Sequence, residues 1–92
     1  MPGDVIRVVL ADDHAVVRAG LKAVLSPAKD ISVIGEATNG KEAVALAERF
    51  KPDVVIMDLS MPDMDGAAAT KAIVAKQTGT RILVLTMHAE EE

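Results

Sequence analysis

The chain has no cysteine, tryptophan or tyrosine, and Phe50 is its only aromatic residue. Without thiols there is neither a disulfide framework nor a thiolate metal site. Basic charge is also scarce: the formal net charge is −4, and no basic stripe marks the segment as a nucleic-acid binder. No apolar run approaches the length needed to cross a bilayer, and the N-terminus lacks a signal-peptide pattern, so a cytoplasmic protein with no membrane role is expected. Internal repeats, low-complexity tracts and linkers are absent too. The 92 residues make at most one small domain. Half of them are hydrophobic, nearly all Ala, Val, Ile, Leu and Met. That aliphatic bias suits a parallel sheet covered by helices better than an antiparallel sandwich.

Short apolar runs alternate with longer amphipathic stretches. Strands are expected at Val5 to Ala11, Ile31 to Ala37, Val54 to Met57 and Arg81 to Thr86. The second is more polar and interrupted by Gly35, which puts it at a sheet edge. Helices are expected over Ala15 to Ser26, ahead of Pro27, over Lys41 to Phe50 after an Asn39-Gly40 turn, and from about Ala67 to Lys76. Lys51-Pro52-Asp53 reads as a break, and Met87 to Glu92 as the opening of a further helix. This β-α-β-α-β-α-β order has crossovers long enough for right-handed parallel pairing, hence an α/β fold.

Open α/β sheets bind ligands beyond the carboxyl ends of their strands, where strand order reverses. Asp12, Asp13, Asp58 and Thr86 all fall at such ends. Unit charges about 5 Å apart repel by about 3 kcal/mol at an effective dielectric near 20. Clustered carboxylates therefore take up protons or bind a cation. Hard oxygen ligands in this number suit Mg²⁺, which also neutralises an incoming phosphoryl group. Asp58 is then placed to attack phosphorus, and Thr86 to offer a hydroxyl to a phosphoryl oxygen.

Three stretches carry a resemblance: Leu10-Ala11-Asp12-Asp13-His14, Asp58-Leu59-Ser60-Met61-Pro62-Asp63-Met64-Asp65-Gly66 and Val84-Leu85-Thr86. Together they resemble the signatures of response-regulator receiver domains of two-component signalling. Residues 12–21 and 33–43 resemble the NarL/FixJ branch in particular. The resemblance covers residues 5–92 and implies a flavodoxin-like, doubly wound parallel sheet with strand order 2-1-3-4. It implies a phosphoacceptor switch rather than an enzyme, taking a phosphoryl group from a histidine kinase on Asp58. Asp13 would bind Mg²⁺ directly, Asp12 through water, and the Ser60 carbonyl would complete the metal site. Thr86 maps to the switch hydroxyl, and Met87 and His88 to the two positions bordering the pocket. Transcriptional output would come through a C-terminal helix-turn-helix domain outside residues 1–92, and DNA binding only through it. Receivers also carry a fifth strand ending in Lys and a fifth helix. Neither is in this sequence, so the fourth strand is expected to be an open edge and the sheet face beside the first helix to lose cover. The chain is expected to be a truncated receiver, with a homodimer or element-swapped oligomer as the alternative to a monomer.

Rival readings of the same residues are a degenerate receiver that docks partners without phosphorylation and an aspartate-nucleophile phosphatase. The latter wants a general acid two residues after Asp58, where Ser60 stands, and a lid insertion that is absent. His14 is expected to be an exposed residue of a helix's first turn, and His88 a solvent-facing one. Asp63-Met64-Asp65-Gly66 lacks the later ligands of a calcium loop and reads as loop and helix cap. Met57, Met61, Met64 and Met87 read as apolar packing. Arg18 and Lys22 read as a solvated helix face, and Glu90-Glu91-Glu92 as acidic bias at a helix start.

Overall fold

The computed structural model describes residues 5–58, 66–76 and 79–85. Four apolar runs form strands β1 (Ile6–Ala11), β2 (Ile31–Ala37), β3 (Val54–Asp58) and β4 (Arg81–Leu85). All pair in parallel, in the order β2-β1-β3-β4. The connecting helices are α1 (Ala15–Leu25), α2 (Gly40–Phe50) and α3 (Gly66–Ala75). The expected order of elements, the 2-1-3-4 topology and the edge position of β2 are all observed, with element ends moved by about one residue. Thr86 and the helix expected over residues 87–92 lie outside the described residues.

Alternation along the strands sorts side chains to two faces. Val9, Ala11, Val55 and Met57 pack with Ala43 and Ala47 of α2 and with Ala69 and Ile73 of α3. Val8, Leu10 and Ile56 point the other way, toward Leu21 and Leu25 of α1. The sheet is therefore wound on both sides, and its strand order reverses between β1 and β3. That reversal opens the crevice where α/β sheets hold ligands.

The α1 side is the thinner one. No residue of α1 is fully buried, and Val16 and Val24 are exposed. On β4, Leu83 and Val84 are exposed as well. Among the described residues, no helix is long and apolar enough to cross a membrane.

Two local devices fix how the strands leave the helices. Asn39, read from sequence as part of a turn, is the N-cap of α2, and its side chain accepts the Glu42 N–H at 2.8 Å. Glu42 reaches back to accept the Thr38 N–H at 2.7 Å and its hydroxyl at 2.9 Å. These bonds, the backbone one foremost, hold the Glu42 carboxyl below its usual pKa. The β1–β2 register slips at Val8/Val9, where Val33 and then Gly35 are the successive partners. Ile34 is thus the extra residue of a bulge, the physical form of the interruption expected at Gly35.

The Lys51-Pro52-Asp53 break has more structure than a break requires. Lys51 closes α2 in the left-handed region at φ 46°, an uncommon conformation for a side chain with a Cβ. The Arg7 guanidinium donates to Phe50 O at 2.7 Å and to Lys51 O at 3.0 Å, satisfying carbonyls at the helix end. Asp53 Oδ2 accepts the Arg7 N–H at 2.8 Å, so the same turn docks onto β1. Replacing Arg7 by Ala removes two charge-assisted bonds in a partly solvated place. We expect Arg7→Ala to cost about 1–2 kcal/mol, read as a lowered urea midpoint at unchanged slope.

Candidate functional site

The site follows from strand register. Ala11 of β1 is paired with Met57 of β3, so the next residue on each strand, Asp12 and Asp58, emerges side by side at the sheet's carboxyl edge. Both are 2% exposed and are the buried charged residues among those described. Backbone pairing continues one step beyond β1, where the Asp12 N–H donates to Ala37 O at 3.0 Å. Asp12 is thereby locked between the ends of β2 and β3.

Asp13 and His14 follow in the loop to α1. Asp12, Asp13, His14 and Asp58 each offer a ligand atom, and these atoms all lie within 4.8 Å of one another. The three carboxylates read from sequence as converging do converge. Ser60 and Thr86, the other two expected site residues, lie outside the described residues, as do Met87 and His88.

His14 is exposed, as expected, but stands one position earlier than expected. It is the N-cap of α1 in extended backbone, not a residue of the first turn. Its N–H donates to Asp12 Oδ1 at 2.7 Å, and Nδ1 lies 2.9 Å from the same oxygen and 3.0 Å from Asp13 Oδ1. The hydrogen bond to Asp12, then the charge of Asp13, raise the imidazole pKa above its usual value. Its neighbourhood to the acidic pair in sequence was the available signal. Only the N-cap backbone geometry turns that neighbourhood into contact.

Lys22 is exposed, as expected of a solvated face, but Arg18 is largely covered and both are ion-paired. Arg18 Nη1 donates to the Asp12 carbonyl at 2.7 Å while Nε donates to Glu36 Oε1 at 2.9 Å. Lys22 Nζ donates to Glu36 Oε2 at 2.6 Å. A charge network thus ties α1 and the end of β2 to the backbone that presents the site. The Lys22 hydrogen bond, then that of Arg18, hold the Glu36 carboxyl below its ordinary pKa. A lowered folded-state pKa contributes stability above the unfolded value and loses it as pH falls through the folded one. We therefore expect wild type to be more stable than Glu36→Gln at neutral pH, with the gap closing below about pH 4. Denaturant titrations of both proteins at stepped pH read this directly.

The donor set can be tested for a cation on its own terms. Asp12 Oδ2 is fully buried and has no hydrogen-bond partner among the described residues. Buried polar atoms ordinarily have one, and a carboxylate oxygen left over is accounted for by an unseen ion or water. Carboxylates gathered within 4.8 Å repel one another unless positive charge is supplied. Oxygen donors in this number fit a hard divalent ion such as Mg²⁺.

Comparison with known proteins gives concordant matches. A family model described as the response regulator receiver domain matches residues 8–92. The transcriptional regulatory protein LiaR of Bacillus subtilis is 49% identical over 87 residues, covering 95% of this chain and 41% of LiaR. The response regulator protein VraR of Staphylococcus aureus is 45% identical over 87 residues, covering 95% of this chain and 42% of VraR. The chain thus spans less than half the length of these relatives. Among solved structures, the signal receiver domain of NarL from Mycobacterium tuberculosis superposes with a TM-score of 0.88 at 38% identity, over 95% of this chain and 70% of that one. The response regulator domain of Thermotoga maritima CheB gives 0.84 at 40% identity, over 95% and 64%.

Proposed function

The chain belongs to the response regulator receiver domains of two-component systems, and from that premise we propose that Asp58 accepts a phosphoryl group in a Mg²⁺-dependent reaction. The observation that carries this reading is the buried pair Asp12 and Asp58 at the strand-order reversal, with Asp13 beside them. Asp13, Asp58 and the Ser60 carbonyl would hold the ion, with Asp12 acting through water. When bound, Mg²⁺ offsets the site's negative charge and that of the arriving phosphoryl group.

The protein's own groups do the rest. Burial strips Asp58 of water and fixes its carboxylate at a strand end, which limits the directions of approach. A carboxylate oxygen forms the new bond to phosphorus as the bond to the donor breaks, and the leaving group departs with that electron pair. With a kinase phosphohistidine as donor, the leaving group is an imidazole that takes up a proton. The product is an acyl phosphate on Asp58. The Thr86 hydroxyl would donate to a phosphoryl oxygen, coupling the modification to movement of the following segment. Relatives named as transcriptional regulators support a C-terminal DNA-binding output in the whole protein. Contact with DNA would belong to that domain, since the receiver itself is acidic.

Acetyl phosphate with Mg²⁺ tests this without a cognate kinase. Intact mass should rise by one phosphoryl group, and chelating the metal should prevent the gain. A receiver that only docks partners gains nothing under either condition, and that result would overturn the reading.

A further inference from the structure

His14 has no part in the phosphoryl chemistry proposed above, yet its ring stands against the carboxylates. The side chain is 59% exposed, so it is not buried there by packing. Its place is set by the N-cap, where the N–H donates to Asp12 Oδ1. Nδ1 then lies 2.9 Å from Asp12 Oδ1 and 3.0 Å from Asp13 Oδ1. In six-coordination with bonds near 2.1 Å, adjacent ligand atoms are separated by about 3.0 Å. Nδ1 already has that spacing from each of the two oxygens. The second observation is Asp12 Oδ2, buried and outside every hydrogen bond among the described residues. The carboxylate next to His14 therefore retains an oxygen that an ion would satisfy.

Carboxylate oxygens suit Mg²⁺, whereas an imidazole nitrogen suits the later first-row ions and Zn²⁺. We propose that the His14 imidazole is a further metal ligand of this centre, giving it an affinity for Zn²⁺ above what the carboxylates alone provide. The inference rests on the reading that Asp12, Asp13 and Asp58 hold a divalent cation. It sets His14 apart from those residues, because its removal spares Mg²⁺ binding.

Titration calorimetry of the full-length protein with Mg²⁺ alone and with Zn²⁺ alone provides the test, against the His14→Ala variant. The variant keeps the residue 14 N–H that bonds Asp12, so the turn survives the substitution. Zn²⁺ affinity should fall by about tenfold or more, with Mg²⁺ affinity changed by less than about threefold. Mn²⁺-loaded wild type should also show nitrogen hyperfine coupling in pulsed electron paramagnetic resonance, and His14→Ala with Mn²⁺ bound should lack it. Equal losses for both ions, no loss for either, or no nitrogen coupling overturns the assignment of His14. Failure of the wild type to bind Mg²⁺ at all overturns instead the reading on which it rests.

Discussion

Asp58→Asn is expected to abolish phosphoryl uptake from acetyl phosphate and, in a chelator, to unfold at a higher temperature than wild type. The first effect follows from chemistry, because a neutral amide lacks the anionic oxygen that attacks phosphorus. The second follows from electrostatics. Asp12 and Asp58 are each 2% exposed, and the ligand atoms of the cluster lie within 4.8 Å of one another. At that separation a pair of like charges costs about 3 kcal/mol at an effective dielectric near 20. Solvent relaxation and the hydrogen bonding lost with the carboxylate reduce the benefit, leaving an expected gain of about 1–2 kcal/mol. For a domain of this size that is a rise of roughly 4–16 °C.

Magnesium should reverse the order. An ion at a concentration a hundredfold above its dissociation constant stabilises the folded state by about 2.7 kcal/mol. Wild type receives that increment, and a variant lacking one of the carboxylates receives much less. The two melting curves should therefore exchange places between chelator and saturating Mg²⁺. A variant that melts below wild type in chelator would show that Asp58 is held by attraction within the protein rather than strained by its neighbours. Persistence of a phosphoryl gain in the variant would move the acceptor to another residue.

The sheet was readable because its strands are bounded by residues that stop them. Asp12 and Asp58 close runs too apolar and too short to be anything else, and β1 and β3 end within one residue of them; Pro52 precedes β3, and Gly35 marks a bulge inside β2 rather than its end. The carboxylate cluster was readable for the same reason. Parallel strands send their C-terminal residues to one edge, so Asp12 and Asp58 had to meet once β1 and β3 were neighbours. Side-chain partners across elements were not readable. Arg18 looked like a solvated residue at helical spacing, but its partners are Glu36 at the end of β2 and the Asp12 carbonyl. That pairing depends on how α1 lies over the sheet, which periodicity does not encode. His14 was misplaced by a single position at the helix start. Its exposure was read correctly, but at the N-cap the exposed ring also reaches back to the carboxylates of Asp12 and Asp13. Asn39 was read as turn chemistry, although Glu42 three residues on, opening an apolar face, marks a cap. The assignments of Ser60 and Thr86 fall outside the described residues, so for them the sequence remains the only guide.

Leu10→Ala should be the most destabilising single truncation on the α1 side of the sheet. Leu10 is fully buried on the central strand β1, in a cluster with Val8 and Ile56 closed by Leu21, Leu25, Val33 and Leu85. Removing a buried isobutyl group loses its transfer free energy and leaves a cavity, typically about 3–5 kcal/mol together. A domain of this size has roughly 5–14 kcal/mol in total, so about a fifth of its stability or more is at stake. Relaxation around the cavity is the counter-argument, since α1 covers that face without a fully buried residue of its own and so has room to settle inward. Against it, Leu10 is held in register with Glu36 on one side and Ile56 on the other. Its Cα cannot follow the helix without breaking both ladders. The cavity should therefore persist, and with it the cost. Val16 and Val24, at 83% and 74% exposed on the outer side of α1, provide the contrast: their Ala variants should lie within about 0.5 kcal/mol of wild type. Urea unfolding of the three variants separates the outcomes. A Leu10→Ala cost below about 1 kcal/mol would mean that the α1 face is loosely packed in solution. Asp12, two residues further along the chain and just past the end of β1, would then lose the rigid support that the site requires.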